Sequence, residues 1–328
     1  LWQQALSNDN THRDAVVDAV INTVIPETKN TDQIKATLKA FGHIPDKLLL
    51  LLEKIVLGNS EFGKFPKLQN LLIVTAVRSE PTKVMDYITR LDAYDGVEIA
   101  EVALGADLKE EAFFIYRKMG ENVKAINVLL TKMEDMDRAT DFAEQTKQPE
   151  VFTELAKAEL ASGKVKESIE AYIKAQEPNN YNAVIEAAKK ADLYEDLVKY
   201  LQMARKKARE WKIETELAYS LAKINKLNEL TDFISGPNYA RIQDVGDRCF
   251  EEGLYEAARI LFSNNNNHSR LAASLVKLKQ FAAAVEAARK DGAISTWKNV
   301  CKACVEAKEF KLAHQAGLHV IVQADELE

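Results

Sequence analysis

The sequence predicts an all-α fold, an α-solenoid (superhelix) of about ten stacked helical hairpins of roughly 29 residues each. Three observations carry that expectation. Apolar residues recur at helical spacing, as at Leu48, Leu51, Leu52 and Ile55 and again at Leu217, Leu221 and Ile224, and sustained alternation with period two is absent. Glycine and proline are scarce, 12 and 7 in 328 residues, which excludes disordered, collagen-like and turn-rich all-β chains. The third is an internal repeat: an apolar or aromatic residue, two mostly polar positions, then a small or aliphatic one, as in Tyr194-Glu195-Asp196-Leu197 and Tyr255-Glu256-Ala257-Ala258.

With the fourth position as anchor, the copies fall at Ala112, Ala139, Ser168, Leu197, Leu230, Ala258, Ala284 and Ala313, 26 to 33 residues apart. Weaker copies at Leu48 and Val84 extend the register towards the amino terminus. A unit of this length holds two helices of about ten to twelve residues and two short turns. One such hairpin cannot cover its own apolar face, so neighbours must stack, and a small anchor lets helices approach closely. The seven prolines, Pro26, Pro45, Pro66, Pro81, Pro149, Pro178 and Pro237, mark helix starts and stops, with Gly236 as a carboxy-terminal cap. The longest interval, Leu197 to Leu230, predicts an extended helix or a longer turn. Asn264 to Asn267 reads as a loop tolerant of left-handed backbone, and Val320-Ile321-Val322 as helix.

Lys and Arg number 44 against 50 Asp and Glu, a net charge of −6, which argues against a dedicated nucleic-acid binder or a basic membrane-surface protein. Three cysteines, Cys249, Cys301 and Cys304, are too few to staple a secreted domain and predict a reducing, intracellular setting. The longest apolar run, Leu48 to Leu52, is far shorter than a membrane span. A start at Leu1 without Met and an end at Asp325-Glu326-Leu327-Glu328 with no terminating signal suggest a piece of a longer chain, and no amino-terminal signal segment is seen.

Little points to chemistry. Cys301-Lys302-Ala303-Cys304 lacks the second pair a zinc site needs, and helical spacing puts both sulfurs on the packed face beside Trp297 and Val300. Among His12, His43, His268, His314 and His319, no pair has the spacing that sets two imidazoles on one helix face. Phosphate loops and nucleophile elbows are missing, and the acid pairs Glu110-Glu111 and Glu251-Glu252 read as solvated turns. No enzyme, cofactor or metal is expected. The densest charge feature is Arg205, Lys206, Lys207 and Arg209, read either as a solvated helix face or as a contact for an acidic protein surface. On the second reading, charge reversal at Arg205, Lys206 and Lys207 should weaken assembly with helicity unchanged.

Several segments resemble the clathrin heavy-chain family: YLQMARKKARE (Tyr200 to Glu210), VGDRC (Val245 to Cys249), GLH and ADELE (Gly317 to His319, Ala324 to Glu328). So do LLEKIVL (Leu51 to Leu57), LQNLL (Leu68 to Leu72), VMDYI (Val84 to Ile88) and RLD (Arg90 to Asp92), in the same order. Departures stand at Lys109, at Trp211-Lys212 and in the Asn264 to Asn267 run. The resemblance implies hairpins of the clathrin heavy-chain repeat type, also found in vacuolar tethering subunits. It divides the chain into repeats at 1–170 and 171–315 and the truncated start of another at 316–328. It also implies a leg segment of the triskelion, from the end of the distal leg through the knee to the start of the proximal leg.

On that resemblance the chain is a structural scaffold that packs against legs of other heavy chains in the polyhedral coat of vesicles, at the cytoplasmic face of coated pits. Clathrin light chain is expected only at or beyond the carboxy-terminal end, around Cys301 to Gln323, and Lys302, Lys308 and Lys311 are candidate protein contacts. Neither nucleic acid nor direct membrane insertion is expected, and the isolated segment should be monomeric. The family's adaptor-binding propeller and trimerising hub have no counterpart in the segment. The rival readings are a tethering-complex subunit and a peptide-binding adaptor.

Overall fold

The computed structural model describes residues 11–20, 31–58 and 61–322, and the described residues hold α-helices and no strand. The chain divides into two compact units, Leu1–Lys147 and Gln148–Glu328. In the first, the helices are α1 (Arg13–Ala19), α2 (Thr31–Phe41), α3 (Pro45–Leu57), α4 (Pro66–Ser79), α5 (Val84–Arg90), α6 (Gly96–Gly105), α7 (Lys109–Lys118), α8 (Asn122–Val128) and α9 (Met136–Thr146). In the second they are α10 (Pro149–Ala161), α11 (Val165–Ala175), α12 (Tyr181–Lys190), α13 (Tyr194–Lys207), α14 (Trp211–Lys223), α15 (Leu227–Ser235) and α16 (Ile242–Glu251). The last five are α17 (Tyr255–Asn264), α18 (His268–Lys277), α19 (Phe281–Asp291), α20 (Ile294–Glu306) and α21 (Phe310–Ile321).

The repeat has a structural meaning. All eight anchors are the fourth residue of a helix, from Ala112 in α7 to Ala313 in α21. Every one is buried, seven of them to 0% and Ala313 to 7% exposure. Their N–H groups donate to the carbonyl of the residue just before the helix, at 2.9–3.1 Å, so the four-residue pattern is the first helical turn, with its polar positions outside and its anchor inside. Leu48 is likewise buried in α3, and Val84 begins α5.

Turns repeat as well. The N–H of Leu193 donates to the Ala188 carbonyl at 2.9 Å, and those of Leu254, Gln280 and Glu309 to Cys249, Leu275 and Cys304 at 2.8 Å, the six-to-one bond that closes a helix end. The residue before each has positive φ: Asp192 at 57°, Gly253 at 81°, Lys279 at 59° and Lys308 at 64°.

Pro45, Pro66 and Pro149 open α3, α4 and α10, where a missing N–H costs nothing. Pro81 opens a short 3-10 turn before α5. Pro178 and Pro237 lie in the connections before α12 and after α15, whereas Pro26 lies outside the described residues. Gly236 follows α15 with extended backbone, φ −87° and ψ 174°, instead of a left-handed cap. The 33-residue interval is taken up by two long helices, α13 of 14 and α14 of 13 residues. Asn266 is left-handed at φ 54°, Asn267 caps α18 by accepting from the Arg270 N–H at 3.1 Å, and α21 continues through Ile321.

Within the first unit, α3 contributes Leu49, Leu51 and Leu52 to the interior, all at 0% exposure. Lys118 of α7 donates to the Ile88 and Leu91 carbonyls at 2.9 and 2.6 Å, so one hairpin caps the helix end of its neighbour. The second unit ends in a continuous core of Leu275, Val285, Trp297, Val300 and Cys304 from α18 to α20, closed by Ala313 and Ala316 of α21.

Candidate functional site

Arg205, Lys206, Lys207 and Arg209 stand at the end of α13, where basic side chains complement the helix dipole. The structure separates them. Arg205 turns inward: its Nε lies 3.4 Å from the Glu214 carboxylate of α14, and its guanidinium sits 4.5 Å from the centre of the Phe233 ring of α15. It therefore braces three helices, and reversing its charge would disturb the fold. Lys206, Lys207 and Arg209 are exposed and form no ion pair among the described residues. The helix breaks at Ala208, whose backbone is extended, and α14 starts again at Trp211. Trp211 is 44% exposed, and Arg241 stacks on it at 3.9 Å.

Lys302, Lys308 and Lys311 are exposed on α20, on the turn and on α21. They too form no ion pair among the described residues. Lys308 and Lys311 flank the amino-terminal end of α21, where the dipole disfavours a cation, so helix electrostatics does not account for them.

The residues with chemical potential are committed to packing. Cys304 and Cys249 are buried, and burial pushes their thiols up, Cys249 to about 12, so neither is reactive. Cys301 is half-buried and points its Sγ at the Ala313 carbonyl, 3.5 Å away. His319 stacks on Trp297 with centroids 4.2 Å apart. No group of three or more metal-ligating side chains occurs among the described residues.

In the acid pairs, Glu110, Glu251 and Glu252 are exposed and Glu111 is half-buried, and at two positions they also bond to a neighbouring hairpin. Glu110 takes a two-pronged contact from Arg138 at 2.6 and 2.9 Å, which holds its carboxyl below the ordinary value. Glu252 accepts from Tyr219 at 2.7 Å and Lys223 at 2.8 Å; partial burial pushes its carboxyl up, but these bonds outweigh that and hold it low. Both acids span neighbouring hairpins, 28 and 33 residues away in sequence. The sequence reading missed Glu214 as a buried partner and missed Tyr239 altogether. Glu214 stood between Ile213 and Leu217 on an apolar stripe, the one signal that would have marked it as interior.

A cleft of about 700 Å³ lies beside this basic segment, between the end of α13 and the loop after α15. Repeated helical hairpins with buried anchors define an α-solenoid scaffold. A family model described as a region in clathrin and VPS matches residues 25–167 and 172–312, and the chain belongs to that repeat family. It is 51% identical over its whole length to the clathrin heavy chain of Dictyostelium discoideum and 49% identical to that of Drosophila melanogaster. Clathrin heavy chain 2 of Homo sapiens is 48% identical, again over 100% of this chain. The chain spans about a fifth, 20%, of the length of each of these relatives.

Proposed function

We propose that the chain is a leg segment of a clathrin heavy chain, a non-enzymatic scaffold whose stacked hairpins pack against legs of other heavy chains in a vesicle coat. Similarity over the whole length of the chain is the observation that carries this reading. The two stretches matched by the family model favour repeats at 1–170 and 171–315 followed by the start of another at 316–328. The setting proposed is the cytoplasmic face of coated pits and coated vesicles. No described helix is long and apolar enough to cross a membrane.

A lattice that must assemble and dissolve is served by many weak polar contacts multiplied cooperatively. Lys206, Lys207 and Arg209 are cations free to make such contacts, and Lys302, Lys308 and Lys311 are the candidates for a light chain that continues beyond this segment. The test introduces Lys206→Glu, Lys207→Glu and Arg209→Glu into the full-length heavy chain and follows cage formation by sedimentation. Weakened assembly with unchanged helicity is expected. Cages that form at wild-type concentration would remove these residues from the leg contact.

A further inference from the structure

We propose that the cleft between the end of α13 and the loop after α15 receives an extended acidic segment of a partner protein. Carboxylates of that segment meet Lys206 and Arg209, and an apolar side chain between them rests on Tyr239. The inference concerns a pocket within one chain and does not rest on the coat reading.

The far wall is a preformed platform. Tyr239 is 59% exposed, yet the backbone under it is pinned from several directions. Its N–H donates to the Glu214 carboxylate. Asn238 donates to the Ile234 and Gly236 carbonyls at 3.3 and 2.9 Å and accepts from the Ala240 N–H at 3.2 Å. The Arg241 N–H donates to the Thr215 hydroxyl at 3.0 Å. An aromatic ring held open by a braced loop loses little freedom on binding, the condition under which a modest contact gives useful affinity. The near wall is basic. Arg205 is already engaged by Glu214, so the cleft's unpaired charge lies in Lys206 and Arg209, in a chain whose net charge is −6.

This arrangement selects among anions. A polyphosphate or an inositol headgroup needs several cations converging on one point, but here one cation is spent and the floor carries the Glu214 carboxylate. A nucleic acid needs a basic track with successive stacking rings, and Tyr239 is a single ring in the cleft. Separate acidic and apolar groups along an extended backbone match a wall of cations facing a wall of aromatic surface. With a cleft of about 700 Å³, a short stretch of peptide is the size that fits.

The test selects peptides of about twelve residues from a random library on the 328-residue chain and measures the enriched ones by fluorescence anisotropy. Enrichment of Asp or Glu flanking Leu, Ile, Phe or Trp is expected. Affinity should fall about tenfold or more in Lys206→Glu/Arg209→Glu and separately in Tyr239→Ala, with circular dichroism unchanged. Lys166→Glu/Lys190→Glu, the same change of charge elsewhere, should leave binding intact. Selection of peptides without acids, equal loss in the control variant, or tighter capture of phosphoinositide vesicles or single-stranded oligonucleotide through the same residues overturns the proposal. Cage assembly is scored separately, so loss of peptide binding with intact cages, or the reverse, tells the two readings apart.

Discussion

Arg205 and Glu214 face each other across the break between α13 and α14, with Nε 3.4 Å from a carboxylate whose side chain is only 4% exposed. The pair turns part of a basic surface segment into internal structure. Removing Arg205 leaves a buried carboxylate without its cation, held by the Tyr239 N–H, whereas its neighbour Lys206 is exposed and forms no ion pair among the described residues. Arg205→Ala should therefore cost about 2–4 kcal/mol and Lys206→Ala less than about 0.5 kcal/mol, read from urea unfolding midpoints at constant slope. Equal midpoints for the two variants would mean that Arg205 braces nothing.

The same pair marks where sequence reading stops. Anchors such as Ala258 and Leu197 were legible because they recur, and recurrence reports a constraint every hairpin shares. The Arg205 partner was not, because it lies beyond a helix break whose geometry no local pattern encodes. The acids Glu195, Asp196, Glu210 and Glu216 stand at similar distances along the sequence. The partners of Glu252 were hidden for a similar reason: an exposed acid at a repeat turn shows none until the adjoining hairpin brings Tyr219 and Lys223 to it. Tyr239 carried no signal at all, since an aromatic next to Pro237 and Asn238 is as consistent with a bland turn as with a cleft wall.

Two glycines in helices should respond to alanine with opposite signs. A Cβ at Gly246 of α16 would meet the buried Phe262 ring at 2.7 Å, whereas one at Gly105 of α6 meets nothing within 4 Å. Gly246→Ala should lose about 1–3 kcal/mol by overpacking. Gly105→Ala should gain about 0.5–1 kcal/mol, because Ala gives up less backbone freedom on entering a helix. Thermal denaturation of both variants checks the contrast; a stabilised Gly246→Ala chain would show that α16 and α17 can separate without penalty.

The repeated turns store strain at side chains that could be relieved one at a time. Lys279 is exposed and left-handed at φ 59°, in a turn closed by the bond from the Gln280 N–H to Leu275. A lysine there carries a Cβ penalty of about 1–2 kcal/mol that glycine avoids, partly offset by glycine's greater freedom in the unfolded chain. Lys279→Gly should raise stability by about 0.5–1 kcal/mol, whereas Lys277→Gly, at the last residue of α18, should lower it, by at most about 1 kcal/mol. A melting-temperature series on the two single variants separates turn strain from loss of a lysine, since the charge change is identical.

Glu159 of α10 gives the chain a pH dependence near neutrality. Its side chain is buried at 4% exposure, and its Oε2 has no hydrogen-bond partner among the described residues. Burial first, and then the nearby Glu167, push its carboxyl up to about 7, against an opposing pull from Lys164 and Lys174. The folded state thus holds a proton that the unfolded chain releases near its ordinary value, about 4.3. Between those two values the native state binds more protons, so stability falls as pH rises from about 4.5 to 7 and levels off above. Glu159→Gln, which stays neutral throughout, removes that slope. Its advantage over the wild-type chain should grow from near zero at pH 4 to roughly 2–4 kcal/mol at pH 8, measured by urea unfolding across the range. Parallel wild-type and variant curves over those pH values would show that the carboxyl is ionised in the folded chain and that a partner satisfies it.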